Sequence, residues 1–251
     1  MNAGEEKSID YDSVSKVYDQ VRIGDPEMIF HLLEEFSPRS GSLVLDVGCG
    51  TANNTLLFQK STDAQIVGLD LSGGMLAEAK HKADVISFVQ APAGLMPFPS
   101  NTFNMVFMTE VIHHLSDAAS AIHEMARVLG GGLMCIVTQS HHQIEARMTS
   151  RFFPATVDID KARYPVIPEI EGHMKSAGLE SIWSKQYRFA PVGLGEEYLD
   201  TVSQKGYSML HKISESDYQE GLKALQQAFA DSDGLDYAAG YTYVWARKSI
   251  D

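Results

Sequence analysis

The chain has 251 residues, enough for one large domain, or a domain with an inserted cap, around a substantial core. Its 20 basic residues against 33 acidic ones leave a formal net charge of −13, which repels a phosphate backbone or an anionic membrane surface, and no Lys/Arg run offers a local exception. The start MNAGEEKSIDYDS has no apolar signal core, and no stretch approaches the ~18 apolar residues of a membrane span, so a cytoplasmic location is expected, with no nucleic-acid or membrane partner. Cys49 and Cys135 are the only cysteines, too few for a disulfide framework or a thiolate cage, and reduced thiols are expected.

Asp25 and Pro26 read as the cap and first-turn pair of a helix through Phe36, with Ile29, Leu32, Leu33 and Phe36 on one face. Apolar runs predict strands at residues 43–47, 65–69, 86–90, 105–108 and 133–138. Between them Ser72 caps a helix carrying Met75, Leu76 and Ala79; Ser116 caps another carrying Ala119, Ile122, Met125, Ala126 and Leu129, ended by Gly130, Gly131 and Gly132. This alternation implies an α/β, doubly wound, mostly parallel sheet joined by crossover helices. Residues 139–168, with paired histidines, Arg147, Arg151, Phe152, Phe153 and Tyr164, lack clean periodicity and read as an irregular lid. A helix at 168–177 stopped by Gly178 and a strand at 180–189 restore the pattern. Residues 195–230 form a second, helical insertion with Ser214 capping its latter helix, and a strand at 241–248 closes the chain. The expected organisation is a core with an N-terminal helical cap (1–138), a lid (139–168), core again (169–190), a helical substrate cap (191–236) and a last core strand (237–251).

The chemistry is concentrated where an apolar strand runs into Asp46, Gly48, Cys49 and Gly50, with Asp70 at the tip of the following IVGLD strand. Glycines here permit close backbone approach of a ligand to a helix N-terminus near Asn53, although glycines can also serve a strand-to-helix turn alone. A carboxylate at the end of the next strand is where a nucleotide site holds its ribose, and the two features together favour adenosine recognition. A dinucleotide fingerprint would place glycine at 53 as well, where this chain has Asn53.

LDVGCGTAN, GLDLSGGMLAEA, MPFPSNTFNMVF, VIHHL and EMARVLGGG, in that order, together resemble the class I S-adenosylmethionine-dependent methyltransferases, of the type that includes ubiquinone and menaquinone biosynthesis enzymes. The resemblance covers about residues 11–138. It implies a seven-stranded, Rossmann-like sheet and S-adenosyl-L-methionine as cofactor, leaving S-adenosyl-L-homocysteine. Asp46, Gly48, Cys49 and Gly50 match the motif around the methionine portion, Asp70 the acidic residue on the ribose, and Leu71 and Met75 the residues near the adenine. Ala93 matches the segment flanking the adenine ring, and Thr109 and Glu110 match the strand end beside the sulfonium. Tyr18 resembles a tyrosine that covers the methionine end; a core aromatic is its alternative. The chain departs from the family at Ala52, where Gly is usual, at Pro92, where a carboxylate is usual, and at Asn104, where Asp is usual.

Methyl transfer asks the protein to align nucleophile, methyl carbon and sulfur and to exclude water, so a reactive side chain would serve the acceptor. His113, His114 and His141 lie beyond strand ends and are the candidates for general base or orienting group, with a structural role as the alternative. No metal is expected, because the adjacent His113/His114 and His141/His142 pairs lack the spacing that converges on one ion. Phe152, Phe153, Tyr164, Tyr187, Tyr198 and Tyr207 are candidate walls of an apolar pocket or ordinary core. Arg147, Arg151 and Arg163 either neutralise an anionic acceptor or are solvated. The expected function is in-line transfer of a methyl group to a small-molecule acceptor. A binder that retains the cofactor fold without catalysis and a nicotinamide-dependent oxidoreductase are the competing readings.

Overall fold

A computed structural model describes residues 24–231 and 234–249 of the chain. Asp25 caps α1 (Pro26–Glu35) as expected: its carboxylate accepts from the amides of Glu27 and Met28, and Pro26 occupies the first turn, where no amide is needed. Then follow β1 (Leu43–Val47), α2 (Asn53–Lys60), β2 (Gln65–Asp70), α3 (Gly73–Lys82), β3 (Ser87–Gln90), β4 (Phe103–Thr109), α4 (Ala118–Val128) and β5 (Leu129–Thr138). The second half holds α5 (His141–Glu145), α6 (Met148–Phe152), α7 (Ala155–Arg163), α8 (Ile167–Ser176), β6 (Glu180–Arg188), β7 (Val192–Leu194), α9 (Glu196–Ser203), α10 (Glu215–Asp231), β8 (Leu235–Tyr237) and β9 (Gly240–Lys248).

Seven strands form one sheet in the order β3-β2-β1-β4-β5-β9-β6. The pairings among β1 to β5 are parallel, and β9 runs antiparallel to both β5 and β6. This is the mostly parallel, doubly wound, Rossmann-like sheet that the sequence implies. Strand order reverses between β1 and β4, and open α/β sheets bind ligands beyond the carboxyl ends of the strands at such a switch point. Alternate side chains along each strand feed two cores. Leu45, Val106, Met134, Ile136 and Val244 pack with Ile122, Met125, Ile170 and Met174 on one face. Val44, Ile66, Met105, Phe107, Cys135 and Trp245 pack with Ile29, Leu32 and Phe58 on the other.

A third cluster lies outside the sheet. Phe153, Val202, Met209, Leu210, Tyr218 and Leu225 form it, so the segments 139–168 and 195–230, separate in sequence, share one small core. Gly221 fits there because a Cβ at that position would lie 2.3 Å from a Phe153 ring carbon.

Local structure corrects several expectations. The cap of α4 is Asp117, not Ser116: Asp117 accepts from the Ser120 amide at 2.9 Å and also from its hydroxyl. Gly130, Gly131 and Gly132 do not end that helix but lie inside β5, where β4 and β5 shift register between Phe103 and Met105. Here the backbones approach so closely that a Cβ on Gly132 would lie 2.0 Å from the Asn104 carbonyl oxygen. Residues 139–168, expected as an irregular lid, contain the short helices α5, α6 and α7, and β7 pairs with β8 in a ribbon the sequence did not announce. Asn104 accepts from the Leu43 amide at 2.9 Å, so this departure keeps an acceptor that ties β4 to β1.

Candidate active site

The glycine turn is built by the ends of β1 and β2. The amides of Gly48 and Cys49 both donate to the Leu69 carbonyl, at 2.7 and 3.0 Å, which folds the chain back sharply after β1. Gly48 has φ +77°, and a Cβ on it would strike the Val111 side chain at 2.5 Å. Gly50 has φ +54° and a different surrounding: among the described residues a Cβ there would meet nothing within 4 Å. Ala52 holds the left-handed conformation, φ 65°, that the family's usual glycine adopts without cost, and it precedes α2.

Asp70 is braced against this turn. One carboxylate oxygen accepts from the Gly50 amide at 2.8 Å and the other from the Ser72 amide at 2.9 Å. Ser72 in turn caps α3 through the Met75 amide, as the sequence implied. Leu71 is exposed beside it, while Met75 is buried in the body of α3. Gln90 at the end of β3 donates to the Leu71 carbonyl at 3.0 Å, and Ala93, half-buried, follows the exposed Pro92. Tyr18 lies outside the described residues.

Asp46 sits deeper. It is buried, and its carboxylate accepts from the Thr55 hydroxyl of α2 at 2.7 Å, which pins the start of that helix to β1. Burial pushes the Asp46 carboxyl up from its ordinary 3.8 to about 7, against the pull of Thr55 and with a smaller push from Asp70. The folded protein therefore keeps a proton that the unfolded chain releases. The stability this group contributes is whole below about pH 4 and declines by roughly 1.4 kcal/mol per pH unit as pH rises toward 7. Asp46→Asn is expected to flatten the fall in melting temperature across that window, and equal pH dependence in both proteins contradicts this assignment. Burial also raises the Cys49 thiol, so it is not a poised nucleophile.

At the end of β4, Thr109 accepts from Asn54, which also accepts from the Asp25 amide. Glu110 then turns the chain out of the sheet with φ 56°, a conformation costly for a side chain of this kind and one that concentrates at functional sites. His113 and His114 follow in a short 3-10 helix, Ile112–His114. His113 is buried and stacks on Tyr164, ring centroids 3.9 Å apart, with its Nε2 3.1 Å from the Tyr164 hydroxyl. The His114 ring is exposed, 4.0 Å from that of His113. His141 reaches Tyr164 too, its Nε2 3.0 Å from the Tyr164 carbonyl. Two histidines proposed from sequence thus contact one residue, Tyr164. His142 is exposed.

Arg147 is no solvated arginine. It is buried, its guanidinium carbon lies 4.9 Å from the Tyr164 ring centroid, and it donates to Gln139 and to the buried Asp160. Asp160 also accepts from Arg163, which reaches Ser208 of the second insertion. Arg151 stays exposed over Phe152. Tyr198 and Tyr207 lie with ring centroids 6.1 Å apart, and Tyr237 of β8 is within electrostatic reach of Tyr207, Arg147 and Glu110. Gln139, Asp160 and Tyr237 escaped the sequence reading; the Asp160 and Arg163 spacing on one helix turn was the available signal. Among the described residues no group of three or more His, Cys, Asp or Glu side chains is arranged to hold a metal ion.

A seven-stranded sheet with this strand order, a glycine turn after β1 and a carboxylate ending β2 is the Rossmann-like architecture shared with the solved methyltransferase structures described below. Residues 45–137 match the family model described as a methyltransferase domain. The matched residues run from β1 to β5, and the similarity to that family is carried there. It is 30% identical over 158 residues to 27-O-demethylrifamycin SV methyltransferase of Amycolatopsis mediterranei, covering 57% of this chain and 55% of that protein. It spans about half the length of the first curated relatives it matches. Among solved structures, a protein described as a methyltransferase of an antibiotic biosynthesis pathway of Anabaena variabilis superimposes with TM-score 0.76 at 17% identity, over 90% of this chain and 99% of that one. Phosphoethanolamine N-methyltransferase 2 of Haemonchus contortus, in complex with phosphomonomethylethanolamine and S-adenosylhomocysteine, gives 0.61 at 21% identity, over 95% of this chain and 57% of that one. No helix among the described residues is long and apolar enough to cross a membrane.

Proposed function

We propose that this chain binds S-adenosylmethionine across the glycine turn and transfers its methyl group to a small-molecule acceptor held between the end of β4 and the capping insertions. The observation that carries the reading is Asp70, locked by the Gly50 and Ser72 amides at a turn where no described residue lies within 4 Å of a Cβ placed on Gly50. A carboxylate so fixed suits paired ribose hydroxyls, and Leu71 offers an apolar surface for the adenine. Pro92 cannot supply the carboxylate that usually meets the adenine amino group, so a main-chain carbonyl takes that part. The cofactor's sulfonium supplies an activated methyl group when bound. The chain's own residues then have to bind, orient and exclude water.

A small-molecule acceptor is supported by the aromatic residues of the segments after β5 and by the acidity of the chain. Tyr164, Tyr198, Tyr207 and Tyr237 suit a ring-bearing or otherwise compact acceptor, and the net charge of −13 disfavours nucleic acid. The test is a metabolite extract incubated with methyl-labelled S-adenosylmethionine and read by mass spectrometry. A labelled small product is expected from the wild type and not from Asp70→Ala. No labelled product from an enzyme that binds the cofactor would favour the non-catalytic binder.

A further inference from the structure

The parallel strands begin at the end of the sheet opposite the glycine turn, and a depression of about 470 Å³ lies there between the turn before β1 and the starts of β4 and β5. Arg39, Arg247 and Lys248 line it, and among the described residues its lining holds no carboxylate, in a chain whose formal net charge is −13. Arg39 is set by its turn: its amide donates to the Ser42 hydroxyl at 3.0 Å, and its carbonyl accepts from the Ser42 amide at 2.9 Å. Arg247 stands near the end of β9, and Glu180, opposite it in the register, has its carboxylate on the Ser249 hydroxyl. Among the described residues neither guanidinium makes an ion pair or a hydrogen bond. Lys248 differs, since its ammonium donates to Asn101 and to the carbonyls of Ala126 and Leu129; it supplies charge to the depression. Asn104 completes the set. Its Oδ1 accepts from the Leu43 amide at 2.9 Å, a part only the oxygen can play, which leaves the amide nitrogen and its two donors for the depression that Asn104 lines. The Asp usual at this position in the resembled family would put a carboxylate among these cations, and this chain has none there.

We propose that this depression binds the phosphate group of a small molecule, held by the guanidiniums of Arg39 and Arg247 and by the Asn104 amide. Guanidinium offers planar, paired donors that match the oxygens of a phosphate. Phe36 adds an apolar wall for the body that carries the phosphate, and the volume is that of a small-ligand site. The acidity of the chain as a whole opposes a nucleic-acid backbone or an anionic membrane as the source of the phosphate. The site is separate from the cofactor turn: it lies at the other ends of β1 and β4 and does not depend on the methyl-transfer reading.

Titration calorimetry on the whole chain, with phenyl phosphate and with inorganic phosphate, tests it. Phenyl phosphate is expected to bind, and more tightly than inorganic phosphate, because only the ester reaches Phe36. Arg247→Gln is expected to weaken binding by about 10-fold or more, the scale of one lost charge-assisted hydrogen bond. Its melting temperature without ligand should match the wild type, since the guanidinium has no partner in the fold to lose. Asn104→Asp keeps the oxygen that Leu43 uses and returns a carboxylate to the depression, so phosphate binding is expected to disappear. No binding of either phosphate by the wild type, or undiminished binding in Arg247→Gln, overturns the proposal. A marked fall in the melting temperature of Arg247→Gln would make that arginine a structural one and overturn it too. Equal affinity for the two phosphates overturns the part given to Phe36 and leaves the free anion as the ligand.

Discussion

Asp70→Asn is expected to weaken S-adenosylhomocysteine binding by about 10- to 100-fold, the cost of losing one charge-assisted hydrogen bond of about 1.5–3 kcal/mol. The carboxylate has two jobs that an amide cannot do together. It accepts from the Gly50 and Ser72 amides, holding the turn after β1 against the end of β2. In the proposed complex it also accepts from ribose hydroxyls. The side-chain amide introduced by this substitution would keep one acceptor oxygen and point an N–H₂ at a backbone donor, so both the ligand contact and the shape of the turn suffer. Titration calorimetry reads the loss directly; affinity within error of the wild type would mean that the ribose lies elsewhere.

Phe153→Ala should divide the molecule's two tasks. Phe153 is fully buried in the cluster that joins the insertions, beneath Gly221 and with its ring centroid 6.0 Å from that of Tyr218. Truncating such a side chain costs roughly 3–5 kcal/mol through lost burial and an unfilled cavity. That cluster shares no residue with the two cores flanking the sheet, so the cost falls on the cap. Methyl transfer is expected to fail while S-adenosylhomocysteine affinity persists. Hydrogen exchange would show loss of protection confined to α6, α9 and α10. If cofactor binding fell in step with methyl transfer, the cap and the cofactor site would be one cooperative unit and the proposed division would be wrong.

The parts of this fold that were legible in sequence are those governed by local chemistry. A run of apolar residues into Gly48 and Gly50, an acidic residue ending IVGLD, Asp25 before Pro26 and Ser214 before α10 each carry their cause within a few positions; Ser214 indeed accepts from the Asp217 amide. What stayed hidden depends on distant partners. Gly130 and Gly132 look like a helix stop until Asn101 and Asn104 of the neighbouring segment press against them. The helices α5 and α6 have five residues each, too short to show a period. Both ends of the β7 and β8 ribbon are three-residue strands, held by pairing across the whole of α9 and α10.

The histidines illustrate the same limit in the site. Sequence could place His113 and His141 beyond strand ends, where a base would be useful. It could not show that both would be taken by Tyr164, one by its hydroxyl and one by its carbonyl. Likewise Arg147 looked equally able to meet an anion or water, and only the fold brings Gln139 and Asp160 to its two ends. Asn104 departs from the family's usual Asp and keeps a strand-joining acceptor.

A structure of the complex with S-adenosylhomocysteine is the most direct test of the cofactor site. The ribose hydroxyls are predicted on the Asp70 carboxylate, the methionine portion along the backbone of Gly48 to Gly50, and the sulfur toward Thr109 and Glu110. A ribose bound away from Asp70, or a ligand that leaves the glycine turn untouched, would contradict the account.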